Sequence, residues 1–200
     1  MCSSDLEEPP DGQWVNRAIN CSMGYLASAL LNGLFALGLK AGQGIPVEHT
    51  VRLNKLIGLG EVSHKFARVI AASRLPYLFA IDPDWATINI IPLLDWEHAP
   101  NEALPAWQGF AWNPRVTKDL WALIKESFLS AFTQERLNGL GQSATIMAQI
   151  VMLAGLEFDL APRQACEAIR AMTEAMREAS LIWLRNDLLR SGNEQSAEPN

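Results

Sequence analysis

The sequence predicts an all-α chain: stacked antiparallel helical hairpins in an α-solenoid of HEAT-like build. Three observations carry this expectation. Apolar residues recur at the spacing of one helix face, as in Leu26, Leu30 and Leu34, and again in Leu120, Ile124, Phe128 and Phe132. Helix start and stop residues punctuate the pattern at Gly38, Pro46, Pro83, Thr117, Pro162 and Thr173. The turns between are short, which sets neighbouring helices antiparallel. Helix pairs recur at loose intervals of roughly 35–45 residues, within the range of degenerate HEAT-type units.

The first long helix is "INCSMGYLASALLNGLFALGL", with Met23 and Leu37 beside its leucine stripe and "KAGQG" ending it. Pro46 opens "PVEHTVRLNKLIGL", whose stripe is Val47, Val51, Leu53 and Leu56. "GLGE" is a turn, and "VSHKFARVIAASRL" is a helix with Phe66, Val69 and Ile70 inward. Asp82-Pro83 breaks the apolar "LPYLFAIDPDW", and Pro83 then fits the start of a helix through "DWATINIIPLL". A strand over the β-branched "TINII" is the alternative, in a run too short for periodicity to decide. Thr117 caps "KDLWALIKESFLSAF", with Lys118, Lys125 and Glu126 on its wet face. The nearly uncharged "QSATIMAQIVMLAGL" reads as a central helix. Pro162 opens a helix that shares Ala165, Ile169 and Met172 on one face, and Thr173 caps the last, "EAMREASLIWLRNDLLR". These boundaries give one helical domain over 16–190 and a polar, disordered tail over 191–200.

Residues 1–15 are expected to be a disordered start. Met1–Leu6, "MCSSDL", lack the n-region and h-region of a secretory signal. The 3′ end of a common sequencing adapter, read in one frame from a GTG start, encodes these six residues. The expectation is therefore an adapter-derived scar followed by the C-terminal fragment of a longer protein, whose upstream domain would be a partner within the same polypeptide.

Composition narrows the function classes. The chain is 49% hydrophobic and 19% charged, with a net charge of −6. An acidic balance argues against nucleic acid as partner, since phosphate neutralisation needs a basic face. Cys2, Cys21 and Cys166 are scattered, form no CxxC pair and suit a reducing cytoplasm. Ile19–Leu39 runs 21 residues without a charge, long enough to span a bilayer, and Gly24/Ser28 and Ala29/Gly33 are small-xxx-small pairs. Asn20, Ser22, Ser28 and Asn32, with no basic cluster or aromatic belt at the ends, favour a buried helix and no membrane partner.

Trp85, Trp96, Trp107, Trp112 and Trp121 crowd the centre, and Leu75–Pro114 contains no Lys or Arg. Asp82, Asp84, Asp95, Glu97 and Glu102 supply its charge. Two readings follow. The indoles form an acidic, aromatic platform for a partner, with Trp107, Trp112 and Arg115 as the candidate binding residues. Or they lock successive helix pairs, each N–H on a loop carbonyl. The second is favoured, because base stacking comes with a basic groove.

"INCSMGYLASALLNGLFAL", "IDPDWATINIIPLLDW" and "AWQGFAWNPRVTKDLWALIKESFLSAF", in that order, resemble the bacterial family called domain of unknown function 4020. The resemblance covers roughly Ile19 to Leu189. Its most specific piece is Trp107-Gln108-Gly109-Phe110, continued by Trp112-Asn113-Pro114-Arg115. It implies a C-terminal helical region of long bacterial proteins, several of which carry an N-terminal sirtuin-like, NAD-consuming domain and act in anti-phage defence. It assigns no catalytic residue.

Residue chemistry adds little to this. His49, His64 and His98 sit in no metal-ligand spacing, and neither "GQG" nor "GLG" is a phosphate loop. Asp95, Glu97 and His98, with Asp82 and Asp84 upstream, read either as an oxygen-rich metal site or as solvated loop carboxylates, the second favoured. Cys166 reads as a small core residue and Arg115 as a clamp on the neighbouring turn. The expected function is a non-catalytic scaffold, sensor or oligomerisation module that self-associates or binds a protein, with no cofactor and no metal. The alternatives are a hydrolase or toxin fragment with a carboxylate site in 82–102, and a membrane-anchored module through 19–39.

Overall fold

The structure, a computed structural model, describes residue 9 and residues 13–58 and 62–196. The adapter-like start Met1–Leu6, the turn at 59–61 and the last residues of the expected tail, 197–200, lie outside them. The described residues are 78% helical and contain no strand. In order they form α1 (Trp14–Ile19), α2 (Ser22–Ala36), α3 (Val47–Ile57), α4 (Val62–Ser73), α5 (Leu75–Ile81) and α6 (Pro83–Asn89). A 3₁₀ turn (Ile91–Leu94) leads to α7 (Pro100–Trp112), α8 (Lys118–Ser130), α9 (Gln134–Leu140), α10 (Ser143–Glu157), α11 (Pro162–Ala171) and α12 (Glu174–Ser196). The β-branched "TINII" is therefore the end of α6 and the start of the 3₁₀ turn. The helices group into two compact units that divide between Ser130 and Ala131, where one domain over 16–190 was expected.

Local signals set the helix starts. The Asp82 carboxylate accepts the Trp85 N–H at 3.0 Å and Pro83 occupies the first turn of α6. Thr117 accepts the Leu120 N–H at 3.3 Å, and Thr173 accepts that of Met176 at 3.3 Å. Pro162 opens α11. Two ends differ from expectation. α1 starts at Trp14, which is buried, inside the stretch expected to be disordered. α12 continues to Ser196, six residues beyond Arg190.

In the first unit α4 is the central element, packed against α1, α2, α3 and α7. Phe66, Ala67, Val69, Ile70, Ala71 and Ala72 are all buried. α7 crosses it closely because Gly109 has no side chain: a Cβ there would lie 2.3 Å from the Val69 carbonyl oxygen. The same device turns α2. A Cβ on Gly24 would lie 1.7 Å from the Ala18 carbonyl oxygen. That approach buries Gly24, Ala27, Leu31 and Leu34 and leaves Leu26 out, so the expected Leu26–Leu30–Leu34 stripe is rotated. On α3, Leu53, Leu56 and Ile57 are buried while Val47 and Val51 are exposed.

In the second unit α10 is central, as its lack of charge predicts, and α9, α11 and α12 pack on it. Ala144, Met147, Ala148, Ile150, Val151 and Ala154 are buried. α11 presents Ala168 and its C-cap Met172 inward, and Cys166 is exposed, not a core residue. At 100° per residue Cys166 sits about 160° from Ala168, on the opposite face.

Candidate functional site

The tryptophan-rich centre is built on α6, the 3₁₀ turn, α7 and α8. Trp107 is fully buried, and its Nε1–H donates to the Leu94 carbonyl at 2.8 Å. The Ser127 hydroxyl donates to the same oxygen at 2.6 Å, so both free positions on a 3₁₀-turn carbonyl are filled. Phe110 and Phe128 meet Trp107 edge-on at centroid distances of 5.5 and 5.6 Å, and Trp121 meets Phe128 at 5.2 Å. These are the tilted contacts that aromatic rings prefer. Trp85, Trp96 and Trp121 are buried as well. The Trp85 Nε1–H donates to the Asn54 side chain at 2.8 Å, tying α6 to α3.

The three candidate binding residues are not brought together. Trp107 is in the core, so it is no contact for a partner. Trp112, five residues on, is 49% exposed, and Arg115 is exposed beyond the end of α7. Five residues turn a helix through about 500°, which sets the two indoles some 140° apart. A shared aromatic platform is excluded by that spacing.

Three of the carboxylates of 82–102, Asp82, Asp95 and Glu102, have separate structural tasks. Asp82 caps α6 with one oxygen and accepts the Ile45 N–H with the other at 2.9 Å, anchoring the loop before α3. Glu102 pairs with Arg68 through two parallel bonds, Nε to Oε2 at 2.6 Å and an Nη to Oε1 at 2.9 Å. The Arg68 side chain is 3% exposed and that of Glu102 is 14% exposed. The other Nη of Arg68 donates to the carbonyls of Ile57 at 3.3 Å and Gly58 at 2.8 Å, the end of α3. One side chain on α4 thus fixes α3 and α7.

Asp95 forms a turn in which its carboxylate accepts the N–H groups of Glu97 (2.8 Å) and His98 (3.1 Å) and pairs with His98 Nδ1 at 2.9 Å. Backbone hydrogen bonds from His98 and Glu97 hold the Asp95 carboxyl below its ordinary value. The hydrogen bond to Asp95, then its charge, raises His98. Both groups are solvated, and among the described residues no three His, Cys, Asp or Glu side chains gather in a way that could hold a metal ion.

The sequence reading missed Arg68 and Arg177. Arg177 repeats the Arg68 task in the second unit: its Nη donates to the carbonyls of Met172 at 2.6 Å and Ile169 at 3.4 Å at the end of α11. Gln134 of α9 donates to Ala171 there at 2.7 Å. Arg177 lies just past the Thr173 cap, and a cation near a preceding helix end is a readable signal. Arg68 carries no such mark.

Polar chemistry is thus spent on joining helices, while large apolar side chains face solvent. On α2 Tyr25 and Phe35 are exposed, with Leu26, and on α12 Leu181, Ile182, Leu188 and Leu189 are exposed. Among the described residues no single helix is long and apolar enough to cross a membrane. One pair, α9 with α10, passes by length and composition together but is bent by 116°. No family model, curated protein or solved structure matches the chain.

Proposed function

We propose that this chain is a non-catalytic helical scaffold or sensor module, self-associating or binding a protein, within a larger cytoplasmic bacterial defence protein. The observation that supports it best is the contrast between buried polar joints and open apolar helix faces. Exposed apolar helix faces of this kind mark protein contacts. The defence setting and the upstream, sirtuin-like partner domain come from the family resemblance centred on Trp107–Arg115. HEAT-like stacking belongs to the same reading. The approach of both α1 and α7 to α4 weighs against a strict solenoid, in which each repeat meets only its neighbours.

Sedimentation velocity over a range of concentrations, with an NAD-consumption assay on the same sample, tests the reading. Association that strengthens with concentration, and NAD left intact, is expected. Turnover of NAD, or tight divalent-metal binding by calorimetry, would favour a catalytic fragment instead.

A further inference from the structure

α12 has two unlike sides. Met176 and Ser180 are buried on the side where α12 packs against α10. On the other side Leu181 is 58% exposed, Ile182 48%, Leu188 57% and Leu189 62%. At about 100° per residue these four fall within one sector of roughly 120°. Leu181 and Leu188, like Ile182 and Leu189, stand one heptad apart, the spacing that keeps a seam between two helices. Glu178 and Arg185 lie in the same sector, are exposed, and are also one heptad apart. They straddle the first apolar pair symmetrically, Glu178 three positions before Leu181 and Arg185 three positions after Ile182.

We propose that this face of α12 pairs antiparallel with the same face of a second copy, the two-fold axis passing between Leu181 and Ile182. That symmetry sets Glu178 of each copy opposite Arg185 of the other, twice, around a centre of Leu181 and Ile182, with Leu188 and Leu189 at the two ends opposite Ala175 and Glu174 of the other copy. A parallel pairing would set Glu178 against Glu178 and Arg185 against Arg185, so the charge pattern selects the antiparallel one. An anionic lipid surface is disfavoured by Glu178 within the apolar sector. The inference rests on the self-associating reading above and names its surface and its partner.

Charge-swap variants test it, since both positions are exposed and circular dichroism checks that each variant stays folded. Glu178→Arg alone sets Arg against Arg; Arg185→Glu alone sets Glu against Glu. Each should weaken the dimer about tenfold or more by sedimentation equilibrium, the effect of turning two exposed attractions into repulsions. The double swap E178R/R185E should restore it. An equimolar mixture of the two single variants should form a heterodimer as strong as the parent dimer, because every facing pair is then complementary. A parent dimer that no swap weakens would overturn this surface and leave the self-association reading standing. A parent chain that stays monomeric to about 100 µM would overturn both. A monomer that floats with phosphatidylcholine–phosphatidylglycerol vesicles would overturn the pairing in favour of a membrane contact.

Discussion

Trp107 and Trp112 stand on one helix and meet opposite surroundings. Trp107 fills the core between Phe110 and Phe128 and satisfies its N–H on Leu94, whereas Trp112 is half exposed. Trp107→Ala and Trp121→Ala should each cost about 3–5 kcal/mol in urea unfolding, the range for large aromatic truncations. Trp112→Ala should stay within about 0.5 kcal/mol of the parent. Equal, small losses at all three positions would mean that the indoles do not lock the helices. The sequence reading favoured the core role, and the spacing of Trp107 and Trp112 could have separated them. The depth of Trp107 could not be read, because it depends on what α8 and the 3₁₀ turn bring to α7.

Asp95 and His98 give one surface turn a pH response. Histidine's value is raised, so its contribution is present below the unfolded value and fades as pH rises through the folded one. The aspartate's is lowered, so its contribution is present above the unfolded value and fades as pH falls through the folded one. The turn is therefore tightest at mildly acidic pH, between the two unfolded values, and loosens on either side as pH moves through a folded one. By NMR titration His98 should titrate above the ordinary histidine value of about 6.5, and Asp95→Asn should bring it back. An unchanged His98 titration in that variant would show that Asp95 is not the cause.

At the scale of elements, helix ends are closed by neighbours. Arg68 closes α3, Arg177 and Gln134 close α11, and the Tyr77 hydroxyl donates to Leu34 near the end of α2 at 3.2 Å. The N–H groups of Gly42 and Gly44 reach the α5 carbonyls of Ala80 and Ile81, both at 2.8 Å, with both glycines at positive φ. These contacts close helix ends and fix where the next helix lies, and the Leu34 carbonyl takes the Leu37 N–H as well. Glu102→Gln should cost about 3–5 kcal/mol, because it leaves the nearly buried Arg68 without its counter-charge. The Arg68→Met, Glu102→Leu double variant should cost less than the sum of its single changes. Additive losses in that cycle would mean that the two side chains act independently. Caps that lie beside their helix in sequence, such as Thr117, Thr173 and Pro83, were legible from the residue order. Arg68 and Glu102 are 34 residues apart, so their pairing is a product of tertiary packing and left no local sign. The buried face of α2 was hidden for a related reason. That helix is apolar nearly all round, and the close approach of Gly24 to Ala18, not the position of its leucines, chooses the side that is buried.

The whole molecule was legible as a class and not as a partition. Helical periodicity and short turns foretell an all-helical chain. They say nothing of which hairpin packs on which, so the division after Ser130 was not foreseen. The functional reading depends on surfaces that the helix pattern under-determines, since an exposed and a buried leucine look alike in sequence. If those surfaces are contacts, the chain must associate. Sedimentation equilibrium of the equimolar Glu178→Arg and Arg185→Glu mixture tests this most directly. The expected result is a heterodimer as strong as the parent dimer, from two variants that each associate about tenfold or more weakly alone; a mixture that associates no better than its components, beside a monomeric parent, would contradict it.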